Sequence, residues 1–350
     1  MLSLMNRRSA GWIGIDIGAS SVKLLSLSRQ GRELQVDAYA IVPLPTTAVV
    51  DGSVAVVSEV AVAIERGLKI CGGKYSDAIV AVPSSAVITK RLQISNLFTG
   101  LDLEDQVKVE ADQFIPYPLE EVALDFEVLG PSERDRNLND ILLVACRKES
   151  AEAREEAVND SGIKCGVIDV DTYAMERLIN LLEPDYKGYV AVADVGSATL
   201  SLNVFHQGQV VYNREQAFTG NELSYSIQQQ YGMTLDEVEL ALREQGLAQD
   251  IHQTIVQPFA DTVIQQVSRA LQFYYSSGVH GQLDRLYLSG GLASISGLVE
   301  RVGLETEVNT LLINPFVQMR VNPRLNQARL LRDAPLLAKA CGLALRSFDQ

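Results

Sequence analysis

The feature that most constrains this chain is a short pattern that occurs twice. Residues 12–25 read WIGIDIGASSVKLL and residues 190–205 read VAVADVGSATLSLNVF. Each is an apolar strand ending in Asp-apolar-Gly, then a corner of small or hydroxyl residues, then a second apolar strand. An offset of 194 − 16 = 178 puts Asp16 on Asp194, Gly18 on Gly196, Ser21 on Thr199 and Leu25 on Asn203. Both copies then reach Gln-Gly, at Gln30-Gly31 and Gln207-Gly208, one residue out of step. A single corner of this kind is ordinary turn chemistry. Its return half a chain later points to a duplicated unit.

The surrounding signals extend the repeat. Three strands are predicted at 12–17, 21–28 and 33–42, then a helix over 55–70 closed by Cys71-Gly72-Gly73, then a strand at 77–83. Residues 84–148 differ in character: a strand at 86–94, a helix at 102–114, and strands at 122–129 and 141–147. Pro116 and Pro118 exclude a helix interior between them. A helix at 149–161, a strand at 165–169 and a helix at 171–182 lead to the second meander, which begins at 189 and has its third strand near 209–217. Residues 220–275 read as mostly helical, with a long helix at 254–276. Strand 284–289 runs into Gly290-Gly291, followed by a helix at 294–302, a strand near 308–313 and a helix at 334–346. The fold class is therefore α/β, duplicated, with two lobes around a cleft and a different insertion in each half.

Composition narrows the partners. A chain of 350 residues accommodates two domains, and 47% hydrophobic residues suffice for a large core. The formal net charge of −14 weighs against broad nucleic-acid binding, which needs a basic face. The opening MLSLMNRRSAG has no apolar core of signal-peptide length, and no run approaches a bilayer span. Cys71, Cys146, Cys165 and Cys341 lack metal spacing and read as small hydrophobes in a reducing compartment. His206, His252 and His280 form neither a metal nor a triad pattern.

The chemistry concentrates at the corners. Gly18, Ala19, Ser20 and Ser21 let backbone N–H groups approach phosphate oxygens. Asp16 is placed to hold Mg²⁺ through water, since Mg²⁺ keeps several waters and takes few carboxylates. Lys23 lies two residues beyond Ser21 and reaches toward a β- or γ-phosphate. Gly196, Ser197, Ala198 and Thr199 offer the facing cradle, with Asp194 as a second carboxylate that binds metal through water or orients an attacking water. Asp16 and Asp194 are thus the candidate catalytic pair. Gly290, Gly291 and Leu292, at the end of a strand, allow close approach to a flat ligand. Gly220 and Asn221 are further candidate contacts, as is Glu239 for a ribose, although glutamates on a helix such as 235–245 are mostly solvated surface. Phe114, Ile115 and Tyr117 read either as a corner packed on the core or as part of a peptide groove.

Together, GIDIGASSVK, ADVGSAT and LSGGLASISG resemble the phosphate 1, phosphate 2 and adenosine motifs of the actin-like ATPase superfamily, with its duplicated ribonuclease H-like fold. Only 82 − 31 − 1 = 50 residues separate Gly31 from Val82, which leaves no room for the large subdomain 1B of actin, MreB or Hsp70. The extra module at 84–148 looks instead like subdomain 1C of the FtsA/PilM branch, and VEADQFIPYPLEEVALDFEVL is similar to the PilM family. The resemblance implies subdomain 1A at 1–83 and 149–187, 1C at 84–148, 2A at 188–221 and 284–350, and 2B at 222–283. It implies ATP and Mg²⁺ in the cleft. As partner it implies the cytoplasmic N-terminal tail of PilN, in a groove between 1A and 1C, with pilus motor ATPases as further candidates. With ALRSFDQ directly after the last predicted helix, direct membrane insertion is not expected. The location implied is cytoplasmic, peripheral to the inner membrane through protein partners.

One departure stands out. Many relatives carry Glu-x-x-Lys on the helix at 235–245, whereas here Glu239 is followed by Leu242, with Arg243 about 100° further round the helix. No His or Gln occupies a motif-defined place beside the second corner, so the expected activity is at most slow ATP hydrolysis. A small-molecule kinase and an FtsA-like polymerising ATPase are the competing readings.

Overall fold

Both meanders form, and they form alike. The computed structural model describes residues 11–31, 33–244, 246–278 and 281–349; the readings made on residues 1–10 and on His280 fall outside these. The first half runs β1 (Gly11–Ile17), β2 (Ser21–Gln30), β3 (Glu33–Pro43), a small hairpin β4 (Val49–Val50) and β5 (Ser53–Val54), α1 (Val57–Cys71) and β6 (Tyr75–Val82). Next come β7 (Val87–Ser95), α2 (Gly100–Ala111), β8 (Val122–Pro131), β9 (Leu138–Arg147), α3 (Lys148–Asp160), β10 (Lys164–Val170) and α4 (Asp171–Leu182). The second half runs β11 (Tyr189–Val195), β12 (Thr199–His206), β13 (Gln209–Ala217), α5 (Glu222–Tyr231), α6 (Leu235–Glu244), α7 (Gln249–Ile251), α8 (Gln257–Ser276) and β14 (Leu283–Ser289). It closes with α9 (Leu298–Thr306), β15 (Thr310–Leu312), β16 (Arg320–Val321), α10 (Gln327–Asp333) and α11 (Ala338–Leu345).

The two main sheets share one plan. The first has the order β10-β6-β1-β2-β3-β16 and the second β13-β12-β11-β14-β15. In each, the meander is antiparallel and its first strand pairs in parallel with the strand after the helical segment. The strands are apolar on both faces because both faces are covered: Ile13, Ile15, Leu24 and Leu25 are fully buried, as are Ala191, Val192, Leu200 and Leu202. Full burial of each Leu or Ile contributes about 1.5–3 kcal/mol.

A shared layer lies between the sheets. Met175, Leu178 and Ile179 of α4 pack with Ala338, Ala340, Cys341 and Ala344 of α11, against Leu25 and Val36 on one side and Val192 and Phe205 on the other. Two glycines make this fit. A Cβ on Gly342 would lie 1.9 Å from the Ala174 carbonyl oxygen, and one on Gly14 would lie 2.5 Å from backbone atoms of Ala340 and Ala344. So α11 presses directly on α4 and on β1, and its first turn is fixed near the end of β1.

Residues 87–147 fold into a separate three-stranded sheet, β7-β9-β8, with its own core of Leu92, Ile94, Val107, Ile115, Ile141 and Leu143. Ile115 belongs to that core, and Tyr117 packs beside it under the Arg147 guanidinium at 4.1 Å. Phe114 stays 41% exposed beneath Lys90. Ile115 is thus packed in the corner's core, while Tyr117 is half-buried and Phe114 exposed.

Several boundaries differ from expectation, each with a local cause. The long helix expected at 254–276 starts as a π turn at His252–Val256, because Pro258 lacks the N–H an α-turn there requires. The helix expected from 294 begins at Leu298, since Gly297 takes φ +76° and breaks the run after a 3₁₀ turn at Gly291–Ser294. The single helix expected at 334–346 is a 3₁₀ turn, Ala334–Leu337, leading into α11, with α10 before it. The pairing of β16 with β3 of the first sheet had no signal in so short a segment.

Candidate functional site

The two corners are built in the same register. Asp16 pairs across its hairpin with Lys23, and Asp194 with Ser201. The Gly18 amide donates to the Ser21 carbonyl at 3.1 Å and the Gly196 amide to the Thr199 carbonyl at 2.9 Å. The chain leaving each third strand returns to the corner: Leu44 N–H donates to Ser20 O and Phe218 N–H to Ala198 O, both at 2.8 Å. The first glycine of each corner was expected to offer its amide to a ligand. Its amide is instead consumed in closing the turn, which leaves Ala19 and Ser20, and Ser197 and Ala198, at the corner tips.

Every candidate catalytic, metal and nucleotide contact lines one cavity between the lobes: Asp16, Gly18 to Ser21 and Lys23 from the first half, and Asp194, Gly196 to Thr199, Gly220, Asn221, Glu239 and Gly290 to Leu292 from the second. Asn221 N–H is committed to Ser197 O at 2.9 Å, which ties the start of α5 to the second corner. Gly290 has φ +92°, and a Cβ there would sit 2.4 Å from the Val195 carbonyl oxygen and 2.9 Å from Asp194 Oδ1. Only glycine lets this loop lie against the second corner. Leu242 and Arg243 both face the cavity, so the 100° between them does not carry Arg243 out of it. Glu237 serves the helix instead. Its carboxylate accepts from Thr234 N–H at 2.8 Å and Thr234 Oγ1 at 2.9 Å, a capping box at the start of α6. Those hydrogen bonds hold its pKa down.

Other wall residues were not anticipated. Arg154, Asp171, Glu215, Ser289, Arg332 and Lys339 also line the cavity. Lys339 had a readable signal, being the one charged residue in the run APLLAKACGLAL. Asp171 stands first in its helix, a position that favours an acid. Arg154 lay unmarked in a charged helix; it is 2% exposed and donates to the Ser150 and Gly52 carbonyls.

The charges are arranged in pairs. Lys23 Nζ lies 3.2 Å from Asp16 Oδ2. Lys339 Nζ lies 2.8 Å from Asp194 Oδ2 and 3.5 Å from Asp171 Oδ2. Burial alone would raise the Asp194 pKa, but Lys339, then Lys23 and the Ser289 hydroxyl, more than offset it and hold the carboxyl below the usual range. Burial would lower Lys339, yet Asp194, Asp171 and Asp16 keep its pKa well above the ordinary lysine value. Glu215 is pushed up by burial and by Asp171. The cavity wall holds five acids (Asp16, Asp171, Asp194, Glu215, Glu239) and five bases (Lys23, Arg154, Arg243, Arg332, Lys339), so it is locally balanced in a chain of net charge −14. A neutral cleft with tethered cations admits an anion that the rest of the surface repels.

The cleft is also wired to the three-stranded module. The turn Ser84–Ala86 precedes β7. Ser84 N–H donates to Asp171 Oδ1 at 2.9 Å, Ser85 Oγ to Glu215 Oε1 at 3.0 Å, and Asn213 Nδ2 to Ser84 Oγ at 3.2 Å. Thr172, Asn203 and Asn213 continue this network between the lobes.

Known proteins bear out this architecture. The chain superposes on the solved "PilM-PilN type IV pilus biogenesis complex" with a TM-score of 0.79 and 26% identity, covering 98% of this chain and 100% of that one. It is similar at 16% identity and a TM-score of 0.55 to the ethanolamine utilization protein EutJ from Carboxydothermus hydrogenoformans, over 95% of this chain and 88% of that one. The fold is that of the actin-like ATPases, as the duplicated meanders and the match to the PilM structure bear out. No helix among the described residues is long and apolar enough to cross a membrane. The model of the type IV pilus assembly protein PilM family matches residues 14–348, and the chain belongs to that family.

Proposed function

We propose that this chain is a nucleotide-binding scaffold of the type IV pilus assembly platform, held at the cytoplasmic side of the inner membrane through protein partners. ATP occupies the cleft, and the cytoplasmic N-terminal tail of a PilN-type protein occupies the groove between subdomains 1A and 1C. The observation that carries this reading is the likeness to the PilM–PilN complex over nearly the whole chain, joined to a cleft whose carboxylates hold the root of the 1C module.

The cleft residues divide the work in this reading. The corner tips at Ala19, Ser20, Ser197 and Ala198 approach the phosphates by backbone, with Lys23 beside them. The wall formed by Gly290, Gly291, Leu292, Leu242 and Arg243 receives the base and sugar, with Glu239 within the same wall. Asp16 fits a Mg²⁺ ion held through water: its carboxylate opens on the cavity, and its ion-pair partner among the described residues is Lys23. Such an ion, when bound, would neutralise phosphate charge.

Nucleotide acts on the partner through differential affinity for two arrangements of the lobes. Asp171 and Glu215 face the cleft and also hold Ser84 and Ser85, so a ligand that changes their surroundings alters how the 1C module is seated. Exposed Leu97, Leu101, Val109 and Phe114 give that module apolar surface for a peptide.

The test is a fluorescence-anisotropy titration of a labelled tail peptide from a PilN-type protein, with and without Mg·ATP. Saturable binding whose affinity changes about fivefold or more with nucleotide is the expected result, within the usual range of coupling between sites. Absence of peptide binding overturns the scaffold reading. Binding indifferent to nucleotide overturns the coupling.

A further inference from the structure

Each corner carboxylate meets a lysine, but the two lysines have unrelated origins. In the first lobe the lysine is Lys23, directly across the hairpin from Asp16. In the second lobe that position is Ser201, buried, its hydroxyl without a hydrogen-bond partner among the described residues. The positive charge arrives instead from the opposite end of the sequence. Lys339, in the first turn of α11, places Nζ 2.8 Å from Asp194 Oδ2 and 3.5 Å from Asp171 Oδ2.

We propose that Lys339 is a resident counter-cation of the polyphosphate site, which lets this chain bind a nucleoside triphosphate with little dependence on a divalent cation. The inference rests on the nucleotide reading above and extends it.

Three observations converge on it. The first is placement. Gly342 and Gly14 seat α11 directly on α4 and β1, so the lysine is set in the cleft by backbone contacts. The second is that nothing in the helix itself favours a cation there. The first turn of a helix is its positive end, and a lysine in it is held by outside carboxylates. The third is the charge at this end of the cavity. Asp16, Asp171, Asp194 and Glu215 face three cations, Lys23, Arg154 and Lys339. Without Lys339, four carboxylates would face two cations before a polyanion enters. A divalent ion beside Asp194 would then be needed to restore the balance. With Lys339 present, that carboxylate is already paired, and the ammonium stands at the wall where the second corner meets phosphate.

Calorimetric titration of ATP, in excess Mg²⁺ and again in excess EDTA, tests the proposal on the full chain. For the wild type the two dissociation constants should agree to within about fivefold. For Lys339→Met, removal of one partner from an enclosed charge pair should weaken binding in EDTA by about 30-fold or more, with Mg²⁺ restoring most of the loss. In Asp194→Asn/Lys339→Met the unpaired charge is gone, and the ratio should fall back toward the wild-type value. A wild-type ratio of about 100 overturns the proposal without any variant, so a variant that fails to fold does not protect it. An equal loss in both buffers for a folded Lys339→Met protein, judged by its circular dichroism, also overturns it, since that marks a purely structural lysine. If the wild type binds no ATP in either buffer, the nucleotide reading itself has failed, an outcome distinct from a large metal dependence.

Discussion

The two corners have one backbone and two sources of charge. The turn closure, the register and the returning third strand agree between Asp16–Lys23 and Asp194–Ser201. The lysine does not: one corner carries its own, and the other borrows it from a helix 339 − 201 = 138 residues further along the chain. A duplicated unit thus retains what the main chain must do, while side-chain chemistry is supplied by whichever element packs against it. The practical lesson is that a motif search finds the cradle and misses the ion.

That comparison breaks most severely at the contact which places the borrowed lysine. Gly342→Val would drive a side chain into the Ala174 carbonyl and displace α11 from α4 while leaving the first corner's own sequence intact. A loss of more than about 4 kcal/mol in denaturant unfolding, or failure to fold, is expected. Wild-type stability would show that α11 is not fixed as described.

The next largest effect separates the carboxylates. Asp194→Ala leaves Lys339 with Asp171 alone at 3.5 Å, and should cost about 2–4 kcal/mol, toward the lower side of the range for breaking an enclosed pair. Asp16→Ala should cost less, about 1–3 kcal/mol, because Asp16 meets one lysine at 3.2 Å, whereas Asp194 meets Lys339 at 2.8 Å and also feels Lys23. Equal losses would mean that the origin of the lysine is immaterial to stability.

Acid titration sharpens the same point. The folded-state pKa of Asp194 is depressed, so its contribution to stability is present above the unfolded value near 4 and is lost as pH falls through the lowered value. Lys339 is raised, so its contribution is complete below the ordinary lysine value and is lost only as pH climbs through the higher folded one. Between these limits stability should be flat with respect to this pair. In Lys339→Met the acid loss should begin at higher pH than in the wild type, as read from melting temperatures between about pH 2 and pH 6, the range that brackets carboxylate titration. An unchanged acid limb would contradict the pairing.

The smallest effect concerns two glutamates two residues apart on α6. Glu237→Ala removes one half of the capping box, should lower the melting temperature only slightly, and should leave ATP binding as it was. A clear loss of ATP affinity would show that the cap and the cavity wall formed by Glu239 are not separate.

The sequence made the frame legible because period-two strands, glycine stops and the Asp-x-Gly repeat are local signals. Helix 171–182 and strand 209–217 fall at their expected bounds. Local signals fail where a distant contact decides. The two-residue β16 is defined only by pairing with β3, and Arg154 becomes a cleft residue only because the β4–β5 hairpin folds over it. Lys339 is intermediate: a lone charge in an apolar helix marks it, but the destination of that charge depends on Gly14 and Gly342. On α6 the pattern pointed to Glu239, which lines the cavity, while Glu237, two residues earlier, is taken up in capping the helix.

The most direct test of the central claim, that the paired corners form a nucleotide clamp, is isothermal titration of Mg·ATP into wild-type protein and Lys23→Met. The account predicts saturable binding by the wild type, with the dissociation constant raised about tenfold or more in the variant, consistent with loss of a cation beside the phosphates. Equal affinity of the two proteins for Mg·ATP would contradict it.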